Sequence, residues 1–205
     1  MPISGQILSN IMTAQMISKG LIGEKNSLLA QAISSAIAST FLSTATYIGT
    51  STGLGLGAGV STGKITGALV IGPSTSGFIF QNMTAMGLIG EKSFPLAQAI
   101  GSAISIHMNT AIVTGTSTVV ASGAGTGVIV GVIGPALGGL ILANMASKGL
   151  VGQSTPQLSQ AIGLGVQLAT TASIVTTSIV GVPVGPVPPA FPPIPAAGTD
   201  TGKIT

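Results

Sequence analysis

The phrase Gly20-Leu21-Ile22-Gly23-Glu24-Lys25-Asn26-Ser27-Leu28-Leu29-Ala30-Gln31-Ala32-Ile33 returns twice further along the chain. It reappears as Gly87-Leu88-Ile89-Gly90 with Leu96-Ala97-Gln98-Ala99-Ile100, and as Gly149-Leu150-Val151-Gly152 with Leu158-Ser159-Gln160-Ala161-Ile162. In each copy the first glycine precedes the glutamine by 11 positions (20 to 31, 87 to 98, 149 to 160), with no gap. Self-similarity at a fixed spacing marks a repeat architecture. The starts at 20, 87 and 149 give periods of 67 and then 62 residues. The expected division is residues 1–71, 72–133 and 134–205, the last unit carrying a proline-rich arm at 182–195 and a terminal tag at 201–205.

Local chemistry assigns elements within each unit. Gln15-Met16, Asn82-Met83 and Asn144-Met145 precede the three glycines. Ahead of two of these pairs lie Gly72-Pro73 and Gly134-Pro135, where proline can open a helix because its missing N–H costs nothing there. A short apolar helix is expected from about Gly77 and Gly139 to the Gly-Leu-Ile-Gly step, where glycine suits a C-terminal cap. A second helix follows from Asn26, Ser93 and Thr155, read as N-cap residues. Its apolar stripe is Leu29, Ile33 and Ile37 in the first copy, Leu96, Ile100, Ile104 and Met108 in the second, and Leu158, Ile162 and Val166 in the third.

Thr44–Thr50, Thr110–Thr116 and Thr171–Thr177 are rich in Thr, Val and Ile, which favour extended chain. They predict one strand per unit, at an edge or paired between units. Glycine-rich links then lead to a small tag. Thr62-Gly63-Lys64-Ile65-Thr66 is repeated identically at Thr201-Gly202-Lys203-Ile204-Thr205, with Thr126-Gly127-Val128-Ile129-Val130 between them. The expected fold class is α+β: three tandem helix-helix-strand repeats, pseudo-threefold or chain-linked, with extended Gly-rich and Pro-rich connections.

Only 4% of the 205 residues are charged, against about 25% in ordinary soluble chains. So sparse a charge pattern repels its own kind weakly and predicts an obligate, homo-oligomerising subunit. The isoelectric point near 9.6 reflects six lysines against three acids. No lysine cluster and few aromatics accompany it, so nucleic acid is not an expected partner. Cysteine is absent, which removes disulfide and thiolate chemistry. No basic stretch precedes an apolar run at the N-terminus, so a secretion signal is not expected. The mean hydropathy of +0.75 raises membrane insertion through segments 65–86 and 128–145 as the alternative reading.

Tests for chemistry are negative. A phosphate-binding loop requires Gly, four residues, then Gly-Lys-Ser/Thr, whereas Ala58 and Ile65 hold the two defining positions around Gly63-Lys64. Glu24 and Glu91 are read as dipole-favoured residues at a helix start rather than as an acid–base pair. His107 has no companion ligands in the sequence, and Met12, Met16, Met83, Met86 and Met145 suit adaptable packing. No catalytic residue, metal or cofactor is expected.

The combination of Leu96-Ala97-Gln98-Ala99-Ile100-Gly101-Ser102-Ala103-Ile104, Thr/Val extended chain and Gly123-Ala124-Gly125-Thr126-Gly127 resembles small, charge-poor virion structural proteins of tailed bacteriophages. The resemblance touches all three repeats and carries over no residue-level role. It implies a non-enzymatic component of the tail, baseplate or neck, assembled in the host cytoplasm, with other virion proteins as partners. The expected assembly residues are Thr201, Gly202, Lys203, Ile204 and Thr205 of the tag, and Pro188, Pro189, Phe191, Pro192 and Pro193 of the arm. The arm itself should adopt polyproline II and act as a stiff spacer.

Overall fold

The computed structural model describes residues 4–44, 46–54, 57–66, 72–119, 122–171, 174–181 and 195–204. The fold is mixed α+β. In chain order the helices are α1 (Gly5–Ser18), α2 (Glu24–Thr44), α3 (Gly72–Ala85), α4 (Ser93–Thr110), α5 (Gly134–Ser147) and α6 (Thr155–Thr171). The strands are β1 (Thr46–Leu54) and β2 (Gly57–Thr66) after α2, β3 (Ile112–Val119) and β4 (Ser122–Val130) after α4, and β5 (Ile174–Gly181) and β6 (Pro195–Ile204) after α6.

Each helix packs on the next in sequence, and α6 packs back on α1, so the six close into a ring. The apolar stripes of α2, α4 and α6 face inward: Ile33, Ile37, Ile100, Ile104, Ile162 and Val166 are all 0–1% exposed. Between them lie Met12, Met16, Ile79, Met83, Ile141 and Met145 of the odd-numbered helices. Each such side chain taken fully out of water contributes about 1.5–3 kcal/mol before the entropy of ordering it.

Small residues let the paired helices approach closely. Ser102 Cα lies 3.4 Å from where a methyl on Gly72 would stand, and the aligned Ser35 and Leu164 Cα atoms lie 3.3 and 3.0 Å from such positions on Gly5 and Gly134. The start of α5 is satisfied by its neighbours. The Ile133 N–H donates to His107 Nε2 of α4 (3.0 Å), and the Gly134 N–H donates to Gln167 Oε1 of α6 (2.8 Å).

Two expectations for the helices are corrected. α3 and α5 begin at Gly72 and Gly134, five residues ahead of Gly77 and Gly139, because proline at the second position starts the helix at once. Asn26, Ser93 and Thr155 do not act as N-caps. Their N–H groups donate to the Gly23, Gly90 and Gly152 carbonyls in a tight turn, and Lys92 holds the α4 cap position in helical conformation with no side-chain bond.

The six strands form a closed antiparallel barrel in the order β1-β2-β3-β4-β5-β6, with β6 pairing back onto β1. A single strand per unit is therefore too few: each Thr-rich segment is the first arm of a hairpin, and the tag is the second. A closed barrel also leaves none of these strands as an edge. The Gly-rich link is largely strand as well, since β1 runs to Leu54 and β2 starts at Gly57.

Side-chain alternation divides each strand into two sets. Ile65, Val113 and Ile129 are buried and belong to the helix-ring core, while their neighbours Lys64, Ile112 and Val128 are exposed. Following register from the buried set, every glycine in the described strands falls on it. Gly49 pairs with Gly63, Gly53 with Gly59, Gly115 with Gly127 and Gly181 with Gly198, and Gly57, Gly123, Gly125 and Gly202 share their parity. Barrel diameter grows with strand number, and about eight strands are needed for side chains to fill the interior. Six enclose less space, and a methyl on Gly127 would already meet Val113 Cγ1 at 3.1 Å. Glycine on the inner set is what lets so narrow a barrel close.

The barrel lies at one end of the ring. α2 packs on β6, α4 on β2 and α6 on β4. Each even-numbered helix leads directly into its hairpin, so the turn between the two helices of each pair lies at the opposite end.

Candidate interaction surface

That opposite end is built by the recurring phrase. In the first turn the Gly20 N–H donates to the Ile17 carbonyl (2.9 Å) and the Leu21 N–H to the Met16 carbonyl (2.9 Å). Leu88 to Met83 (2.8 Å) and Leu150 to Met145 (2.9 Å) repeat the longer bond. This Schellman arrangement requires a left-handed residue, supplied by Gly20, Gly87 and Gly149 at φ +78°, +73° and +68°. The residue after the glycine packs back on the helix: Leu21, Leu88 and Leu150 lie against the core. The following residue is then turned outward. Ile22, Ile89 and Val151 are 81%, 74% and 78% exposed.

The second and third turns border a cleft of about 530 Å³, walled by Leu96, Met145, Leu150 and Leu158 and rimmed by Glu91 and Lys92. Lys148 Nζ donates to Gln98 Oε1 (2.9 Å), tying the third turn to α4. Glu24, Lys25, Glu91 and Lys92 are exposed around the apolar tips. Read from the sequence, the Gly-Leu-Ile-Gly step is a helix C-terminal cap, and the outward side chain after it goes unassigned. The available signal was an aliphatic residue directly after a Gly-Leu cap, present three times.

The other singled-out residues lie elsewhere. Thr201–Ile204 are in β6 and Thr62–Thr66 in β2, so two copies of the tag flank β1 within one chain. Thr205, Pro188, Pro189, Phe191, Pro192 and Pro193 lie outside the described residues, as does most of the arm from 182 to 195. Lys64 is exposed in mid-strand, paired with Ile48 and Ile112. His107 is buried in α4, and that burial holds its imidazole below the ordinary value.

Among the described residues no three His, Cys, Asp or Glu side chains group as metal ligands would. No described helix is long and apolar enough to cross a membrane. The apolar runs 65–86 and 128–145 each divide between a strand and a 14-residue helix. No family model, curated protein or solved structure matches the chain.

Proposed function

We propose that the chain is a non-enzymatic structural subunit of a large protein assembly, a virion component in the tail, baseplate or neck of a tailed bacteriophage. Its helix-helix-hairpin units are three tandem copies set about a pseudo-threefold axis. The observation that carries this reading is the double closure of helix ring and barrel, with like contacts recurring at aligned positions in the three units. Gly5, Gly72 and Gly134 each face the second helix of their own pair at aligned residues. Asn82 and Asn144 each reach the preceding unit at aligned carbonyls.

A chain so built offers nearly the same surface three times, which suits neighbours arranged in rings. Its charge-poor surface favours permanent association with protein. The test follows the native chain by antibody through gradient-purified particles, with and without detergent. Co-sedimentation with a large particle whose mass is indifferent to detergent is expected. A small species that appears only in detergent overturns the reading and favours a membrane protein.

A further inference from the structure

We propose that the turn end of the helix ring is a self-docking face, on which a second copy of this chain sits head to head. This deepens the structural reading above and rests on it for the expectation that the face meets protein.

One exposed aliphatic residue needs no explanation. Here Ile22, Ile89 and Val151 stand at the same position of three aligned turns, each more than seven-tenths exposed. A partner that repeats its own surface covers all three with like contacts, and a second copy does so. The face also carries the counterpart of its own tips: the cleft of about 530 Å³ between the second and third turns has the volume and the apolar walls, Leu96, Met145, Leu150 and Leu158, to take an isoleucine or valine side chain.

Charge favours the same occupant. Ile22 is followed by Gly23 and then Glu24-Lys25, Ile89 by Gly90 and then Glu91-Lys92, and Val151 by Gly152 and then the neutral Gln153-Ser154. The pair behind each tip therefore carries no net charge. Turned about a twofold axis onto its own copy, the face can set the glutamate of one chain against the lysine of the other.

Sedimentation of the full-length chain over about 1–200 µM tests this. A dimer of twice the 19.8 kDa chain mass is expected, weakened at least about tenfold by combining Ile22→Ser, Ile89→Ser and Val151→Ser, with thermal melting of the exposed-site variant unchanged. A chain carrying Glu24→Lys and Glu91→Lys should pair poorly with itself and well with one carrying Lys25→Glu and Lys92→Glu. A wild type that stays monomeric, or a serine variant that dimerises as before, overturns the self-docking face. Neither result touches the virion reading, which is judged on particle sedimentation alone.

Discussion

Asn144 Nδ2 donates to the Ala99 carbonyl at 3.2 Å, and Asn82 Nδ2 makes the corresponding bond to Ala32, also at 3.2 Å. These bonds join α5 to α4 and α3 to α2, the seams between successive helix pairs. Both acceptors lie inside helices, so each asparagine uses a second lone pair of a carbonyl already in a helical ladder.

Replacing either asparagine with alanine should cost about 1 kcal/mol, the net worth of a part-buried hydrogen bond. The two losses should nearly add, since the bonds lie on different seams. Urea midpoints of Asn82→Ala, Asn144→Ala and the double variant check this, and an unchanged midpoint in the double variant would deny the seams any role in stability.

Two glycine substitutions within α3 and α4 should act in opposite directions. A methyl on Gly101 would stand 2.6 Å from the Ser76 nitrogen and 2.7 Å from its Cα, so Gly101→Ala must push the helices apart, at a cost of about 2–4 kcal/mol. Nothing lies within 4 Å of a methyl on Gly77, and Gly77→Ala should stabilise by about 0.5–1 kcal/mol through helix propensity. Thermal melts of the pair give the comparison at a glance.

Acid should loosen the helix ring through His107. Its Nε2 accepts the Ile133 N–H only while neutral, and burial lowers its pKa in the fold below the 6.5 of the open chain. As pH falls below 6.5 the unfolded chain takes up the proton first, so stability is complete above that value and declines until the folded-state value is passed. The chain has no other histidine. Urea midpoints should therefore fall between about pH 7 and about pH 5 in the wild type, while His107→Gln should show little change across that window.

The narrow barrel predicts intolerance at its inner set. Gly127→Val would place a branched side chain against the Thr114 carbonyl and Val113 Cγ1, each 3.1 Å from the first added carbon. A loss of about 2–4 kcal/mol is expected. Thr116→Val, at an exposed position of β3, should change stability by less than about 0.5 kcal/mol. Equal losses for the two would show that the inner set is not space-limited.

What could be read from sequence was local. Ile33, Ile100 and Ile162 announce the buried helix faces through their spacing, and Gly20, Gly87 and Gly149 announce helix ends because no other residue adopts their backbone so cheaply. The false N-caps at Asn26, Ser93 and Thr155 arose because residue type fits a cap whether or not a turn already satisfies the backbone. The barrel was harder to see because pairings such as Thr46 with Lys203 join residues far apart in the chain. A nearer clue lay in the alternating glycines 123, 125 and 127, read as an extended link running into the tag although period two is the signature of a strand with one restricted face. The candidate surface escaped notice for another reason: exposure of Ile22 follows from cap geometry rather than from its own side-chain preference.

Closure of the barrel through β6 and β1, and of the ring through α6 and α1, gives the nascent protein an order of events. Until β6 is available, β1 is paired along one side only, through β2, and its other side is open to a further strand. Folding should accordingly be slow for so helical a protein, since pairs such as Thr46 with Lys203 lie far apart in sequence. A β6 that pairs with β1 of a neighbouring copy makes the same contacts as one that returns to its own chain, so exchange between copies rises with their concentration.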